Sequence, residues 1–290
     1  MKSTGIYILL SVLLLLSSCA GTQTEQRSVT VTIEPQRFFA EKIAGDKFAI
    51  HCVVPSGQSP ETYDPTPRQM VQIGKSEAYL QIGYIGFELA WMQKIRENNP
   101  DPKVFDLSEG MRFEHIDAHH AHHHHHAGGV DPHIWSSIEG ARTIAWNTLN
   151  AFIELDKENT EYYWKNCNEL LAEIDKMEAE IRQMLAPLKD QAFIIYHPAL
   201  TYFAEEFGLV QLCIEMDGKE PSPAQLKQLL MAAKEHQAKV VFIQEEFDQK
   251  NAELIAKESG CRLVKINPLD YHWNRELIHI AKALADGKTD

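Results

Sequence analysis

Histidine is concentrated in one internal stretch of the chain, and imidazole is the commonest side-chain ligand for zinc, copper and nickel. Residues 115–126 contain almost no apolar side chain and Gly128-Gly129 follows them, so the stretch is predicted to be a loop with many weak metal sites. A solvated polar loop without a metal role is the alternative. The histidines concerned are His115, His119, His120, His122, His123, His124, His125 and His126.

Three further candidate ligands lie where predicted strands end. Glu61 lies in the loop after a strand predicted over Phe48–Val54, and His197 directly follows another predicted strand. His133 belongs to the motif DPHIW, shortly after the histidine stretch. A lone histidine at a strand end more often makes a structural hydrogen bond, but two of them beside a histidine-rich loop favour a metal site. Zinc accepts nitrogen and oxygen donors of this kind, and three protein ligands leave one position for water.

The elements that position these residues follow a βαβ pattern. Strands alternate with helices over residues 28–157 and again over residues 188–290, which predicts a parallel sheet in each segment. We call these segments the N-lobe and the C-lobe. The predicted fold class is therefore α/β, with two lobes of parallel sheet flanked by helices. Because ligands of open parallel sheets bind beyond the carboxyl ends of the strands, we expect a cleft between the lobes.

One long rigid helix is predicted to join the lobes over residues 158–187, where Pro187 ends it. Apolar residues recur there at spacings of three and four, as on one face of a helix. A coiled-coil partner helix is the alternative for this segment. The apolar positions are Tyr163, Cys167, Leu170, Ile174, Met177, Ile181 and Met184.

The N-terminus predicts export. Lys2 precedes an apolar run over Ile6–Leu16, which has the length of a signal sequence rather than of a membrane span. The run ends in LSSC, which resembles the lipobox of bacterial lipoproteins and implies cleavage before Cys19 and lipidation of its thiol. We therefore expect residues 1–18 to be a signal peptide and residues 19–27 a polar tether. The protein would face the periplasm or the cell exterior, anchored to a membrane.

Composition is consistent with an exported globular protein. The apolar fraction of 44% is ample for a sizeable core. A formal charge of −13 argues against nucleic acid as a partner and is compatible with collecting cations. Cysteines 52, 167, 213 and 261 show no zinc-like spacing, and the sequence does not choose among three disulfide pairings or none.

Taken together, these motifs resemble the metal-binding lipoproteins of bacterial ABC importers, and most of all the zinc-specific ZnuA-type group of the TroA-like superfamily. The matching features are the lipobox, the loop GQSPETYDPTP over residues 57–67, DPHIW, the strand that ends at His197 and the long helix. The resemblance covers the chain from about Ser28 onward. It implies two lobes that barely move, an interlobe zinc site, a monomer, and delivery of the metal to an ABC permease in the inner membrane.

Two positions depart from the pattern of this family. The loop ligand is usually histidine, and here the matching residue is Glu61, which can bind zinc through oxygen. Where relatives commonly carry an aspartate, this chain has Asn267, a poorer ligand, so we expect water or, less readily, Asp270 at the fourth position. His197 matches the third ligand of the zinc group, whereas the manganese group typically has glutamate there.

Several other functions remain open from the sequence. A hydrolytic metalloenzyme would need a general base beside the ligands, and neither such a base nor an HExxH motif is present, so we expect no enzyme activity. The alternatives are a metal buffer or adhesin lipoprotein that needs no permease, or a manganese-specific receptor. The segment Gln244-Glu245-Glu246 follows a strand and either reaches the cleft or forms an acidic cluster before a helix.

Overall fold

The computed structural model describes residues 26–113, 129–215, 221–247 and 249–286. Cys19 and the histidine segment 115–126 lie outside these residues, as does the predicted signal peptide. Within the described part of the chain, no helix combines the length and the hydropathy needed to cross a bilayer.

The N-lobe is a four-stranded parallel sheet with the strand order β2-β1-β3-β4 and helices on its faces. One helix connects each strand to the next along the chain, as the βαβ pattern predicts. Its elements are β1 (Ser28–Val31), α1 (Glu34–Ala44), β2 (Ala49–Cys52), α2 (Pro67–Lys75), β3 (Ala78–Gln81), α3 (Gly86–Asn98), β4 (Lys103–Asp106), a 3₁₀ turn (Ile134–Ser136) and α4 (Ile138–Leu155).

The C-lobe repeats this plan with the order β6-β5-β7-β8, again fully parallel. Strands β5 and β7 lie at the centre and are buried, whereas β8 at the edge is partly exposed. Its elements are β5 (Ala192–Ile195), α6 (Thr201–Phe207), β6 (Val210–Cys213), α7 (Pro223–Glu235), β7 (Val240–Gln244), α8 (Gln249–Ser259), β8 (Arg262–Ile266) and α9 (Trp273–Ala285).

A single helix, α5 (Thr160–Leu185), joins the two lobes between short 3₁₀ turns. It packs against α1 and α4 of the N-lobe and against α9 of the C-lobe. At 1.5 Å per residue, its 26 residues span about 39 Å. The apolar face predicted from the sequence is buried inside the chain, with Leu185 more deeply buried than Met184, so this face is not left for a coiled-coil partner.

Local sequence signals explain several element boundaries. Ser222 caps α7, since its hydroxyl accepts a hydrogen bond from the backbone N–H of Gln225. Gly208 ends α6 in the left-handed conformation, with φ of 67°. All four described cysteines are free thiols, so none of the three possible disulfide pairings is formed.

The lobes are held together by the buried indole groups of two tryptophans. The Trp135 indole N–H donates to the Pro268 carbonyl across 3.0 Å, and the Trp273 indole N–H donates back to the Trp135 carbonyl. The Trp273 ring also packs on Phe39, with ring centroids 4.9 Å apart. One apolar cluster therefore runs through the N-lobe, α5 and the near face of the C-lobe sheet.

Candidate metal centre

The carboxyl ends of the strands in both sheets converge on one small cavity between the lobes. Glu61 reaches it from the loop after β2, His133 from the segment that follows β4, and His197 directly from the end of β5. The cavity holds about 30 Å³, which is the space of one water molecule or one ion. Its remaining lining residues are Ser59, Pro60, Trp135, Ala199, Gln244, Glu246, Phe247, Pro268 and Leu269.

His133 is held by the aspartate two residues before it. The Asp131 carboxylate accepts the His133 backbone N–H at 2.9 Å and lies 2.7 Å from its Nδ1. Because a carboxylate only accepts hydrogen bonds, Nδ1 carries the proton and Nε2 is left with its lone pair. Burial lowers the pKa of His133, but the charges of Asp131, Glu61 and Glu215 outweigh it, so the net pKa is raised above its ordinary value.

His197 is held from three sides. Its Nδ1 lies 3.2 Å from Glu215 Oε2, and the Phe247 ring stacks on the imidazole at 5.1 Å with planes 16° apart. Gln244 clamps its backbone, since the Gln244 amide donates to the His197 carbonyl at 2.7 Å and accepts its N–H at 3.3 Å. The same logic as for His133 places the proton of a neutral His197 on Nδ1 and the lone pair, which a metal could use, on Nε2.

The two imidazoles meet across the lobe boundary. Their ring centroids lie 5.2 Å apart with planes inclined by 69°, and both residues are nearly fully buried. Trp135 closes one side of the pair, with its ring 5.0 Å from that of His133.

Glu61 contributes a carboxylate with one occupied oxygen. Its Oε2 accepts the backbone N–H of Gly86 at 3.2 Å, at the beginning of α3. Its Oε1 is buried and has no hydrogen-bond partner among the described residues. A buried carboxylate oxygen without a partner is costly, so a cation beside it would offset that cost. The donor set of one carboxylate and two imidazoles therefore fits a divalent metal ion.

Binding would still require some closing of the ligands around the ion. Across the described segments, no group of three or more His, Cys, Asp or Glu side chains forms a metal-holding set as it stands. The two candidates for a fourth position are engaged locally. Asn267 Oδ1 accepts the Leu269 N–H at 3.1 Å, and Asp270 Oδ1 accepts the His272 N–H at 2.6 Å.

Some residues of the site were missed or left open by the sequence. Glu215 and Phe247, which hold His197, were not singled out, although a carboxylate just after β6 was a usable signal because strand ends converge. The sequence left open whether residues 244–246 reach the cleft, and two of them, Gln244 and Glu246, line the cavity. Burial raises the pKa of Glu246. The segment therefore reaches the cleft.

Two α/β lobes joined by one long helix, with an ion-sized cavity between them, define a substrate-binding protein of the rigid-helix type. The model of the family "Zinc-uptake complex component A periplasmic" (ZnuA) matches residues 29–276, and the chain belongs to that family. It is accordingly the metal-binding, substrate-binding component of an ABC transporter, not an enzyme, and this role implies a membrane permease as its partner.

Comparison with individual proteins agrees with this assignment. The high-affinity zinc uptake system protein ZnuA of Bacillus subtilis is 29% identical over 287 residues, covering 93% of this chain and 89% of that protein. The manganese ABC transporter substrate-binding lipoprotein PsaA of Streptococcus anginosus is 25% identical over 278 residues, covering 90% and 87%. A crystal structure of ZnuA superposes with a TM-score of 0.83 at 35% identity, covering 91% of this chain and all of that one.

Proposed function

We propose that this protein captures Zn(II) in the interlobe cavity and delivers it to an ABC permease in the inner membrane. The observation that carries the proposal is the meeting of His133 and His197, 5.2 Å apart between ring centroids, at a cavity that Glu61 also lines. Glu61, His133 and His197 are the proposed ligands. Water, or less readily Asp270 or Asn267, completes the coordination.

The spacing of the two rings suits a tetrahedral ion. With Zn–N bonds of about 2.0–2.1 Å, two imidazoles on one tetrahedral zinc place their ring centroids about 5 Å apart. The carboxylates behind each ring fix the tautomer that presents Nε2, as in other histidine metal sites. At about 30 Å³ the cavity is far smaller than the pockets that usually hold organic solutes, which supports an ion as the cargo.

The donor types favour zinc over manganese. Imidazole nitrogen suits zinc, whereas manganese prefers carboxylate, carbonyl and water oxygens in an octahedral set. The B. subtilis relative is named for zinc and the S. anginosus relative for manganese, at similar identity. Two imidazoles and one carboxylate support zinc for this chain.

The parts outside the described residues complete the proposal. The histidine segment 115–126 would act as an auxiliary collector or sensor that raises local zinc near the cavity. Lipid at Cys19 would anchor a monomeric, extracytoplasmic receptor near its permease. Low affinity and fast exchange suit such a collector, because tightly held metal would not pass on.

Calorimetric titration of the mature chain with zinc and with manganese tests the proposal. We expect one tight zinc equivalent that is weakened in each of Glu61→Ala, His133→Ala and His197→Ala. The control His279→Ala alters an exposed histidine outside the cavity and should leave it unchanged. Deletion of residues 115–126 should remove only weak equivalents.

Two outcomes contradict the proposal. Tight manganese and weak zinc binding would make the protein a manganese receptor. Loss of all binding on deleting residues 115–126 would exclude the cavity site and favour a metal buffer or adhesin. Growth in low zinc with and without the permease separates transport from these last two roles.

A further inference from the structure

Helix α3 begins without a capping side chain of its own. Ile85, at its N-cap position, has no side-chain acceptor to offer the first backbone N–H groups. The loop that carries Glu61 satisfies two of them instead. Gly86 N–H donates to Glu61 Oε2 at 3.2 Å, and Phe87 N–H donates to the Pro60 carbonyl at 2.8 Å. The candidate ligand therefore caps this helix from another part of the chain.

This contact depends on the absence of a side chain at Gly86. A Cβ there would lie 2.6 Å from the Glu61 carbonyl oxygen, 2.7 Å from its Oε2 and 2.8 Å from its Cα. Two of these atoms belong to the backbone, so rotation of the Glu61 side chain does not relieve the clash. Any residue other than glycine must displace the loop that holds Glu61.

We infer that Gly86 is a positioning residue for the metal ligand Glu61, and that it leaves Glu61 a single ligating oxygen. The inference rests on the proposed function. The Gly86 N–H, at the positive end of α3, holds Oε2 and favours the ionised carboxylate. Oε1 has no hydrogen-bond partner in the described chain and is the oxygen left for the ion.

A carboxylate restricted to one oxygen also bears on which metal is preferred. Four-coordinate zinc takes one oxygen from such a ligand, whereas six-coordinate manganese gains from additional oxygen ligands. Gly86 therefore works in favour of zinc, because its N–H holds Oε2 towards the beginning of α3 and so disfavours binding of the metal through both oxygens.

A double-mutant cycle tests the role of Gly86, with Gly86→Ala, Glu61→Ala and the double variant titrated with zinc and with manganese. Gly86→Ala should weaken zinc binding about 10- to 100-fold, as loss of a residue that orients a ligand does. In the Glu61→Ala background the same change should have no further effect. Leu89→Ala, on the same helix and 49% exposed, is the matched control and should bind zinc as the parent does.

Three results would overturn the inference. The first is unchanged zinc affinity in Gly86→Ala. The second is an equal loss in both backgrounds, which would mean a general structural effect. The third is equal losses of zinc and manganese affinity, which would show that Gly86 does not contribute to metal selectivity.

If His133→Ala and His197→Ala also keep full zinc affinity, the proposed zinc site itself fails. If they lose it while Gly86→Ala does not, only the role of Gly86 fails.

Should Gly86→Ala not fold, hydrogen exchange of the Gly86 amide in the full chain decides the question. The amide should be protected in the parent and exchange markedly faster in Glu61→Ala. Equal exchange in the two proteins would show that Glu61 does not hold this N–H.

Discussion

The Tyr202 hydroxyl donates a 2.7 Å hydrogen bond to the backbone oxygen of Asp131, and so links the C-lobe to the N-lobe beside the cavity. The carboxylate of the same aspartate lies 2.7 Å from Nδ1 of His133. A contact between the lobes is thus continuous with the support of a candidate ligand. Small changes at the lobe boundary should therefore alter the position of His133 and the affinity of the candidate metal site.

Replacing Tyr202 by phenylalanine should lower the free energy of unfolding by about 1 kcal/mol, because it removes one buried hydrogen bond and little apolar surface. Urea unfolding of the metal-free chain measures this. Tyr84→Phe is the control, since Tyr84 is 39% exposed. Zinc affinity in Tyr202→Phe should fall as well. Unfolding at the same urea concentration as the parent would show that the contact contributes nothing to stability.

Glu215 should matter for zinc although it does not line the cavity. In Glu215→Ala, His197 loses the carboxylate that fixes its tautomer, and zinc affinity should fall about 10- to 100-fold. Glu215→Gln keeps an acceptor oxygen for Nδ1 and should lose less. Calorimetric zinc titration of the two variants measures which of them loses more affinity. Equal losses would mean that the charge of Glu215, rather than its hydrogen bond, is what His197 requires.

Three of the four described thiols, those of Cys52, Cys167 and Cys213, should be slow to react in the folded protein. Burial raises the pKa of Cys52 and of Cys213 well above the ordinary range, and it raises the pKa of Cys167 to about 11. Only the thiolate reacts quickly, so these three should resist a disulfide reagent at pH 8 until guanidinium is added. Rapid labelling of any of them in the native protein would contradict this.

The fold was largely predictable from sequence periodicity, because apolar spacing reports which face of an element is buried. The strand predicted over Phe48–Val54 is observed over Ala49–Cys52. Periodicity does not fix where α6 starts, and this short helix begins only at Thr201. Residues before it form a tight turn, in which the Ala199 N–H donates to the His197 carbonyl at 2.7 Å.

The candidate site was predictable only in part. Strand ends in a parallel sheet converge, so Glu61, His133 and His197 were open to sequence reasoning, and the structure brings all three to one cavity. The supports of these residues depend on neighbours distant in the chain. Glu215 meets His197 because β6 lies beside β5, and Gly86 meets Glu61 through a loop. Neither spacing nor periodicity reports such pairs.

Glu88 is a buried carboxyl group whose titration should be visible in the stability of the protein. Its oxygens accept the backbone N–H groups of Ile82 at 3.0 Å and Gly83 at 2.6 Å, and Thr32 donates its hydroxyl to the same carboxyl group. Burial raises the pKa of Glu88 to about 7, and the hydrogen bonds offset only part of that effect.

The sign of the expected pH effect follows from this raised pKa. The folded protein keeps the Glu88 proton up to about pH 7, whereas the unfolded chain releases it near the ordinary glutamate pKa of 4.5. Stability from this group is therefore fully present below about pH 4.5 and is lost as the pH rises to 7, by on the order of 3 kcal/mol. Glu88→Gln stays neutral and should lack this decline.

Urea unfolding with chelator at several pH values gives the free energy of unfolding of both proteins. The contributions of all other titrating groups cancel in the difference between the two free energies. A difference that stays constant from pH 4.5 to 7 would show that Glu88 ionises in the folded protein as easily as in the unfolded chain.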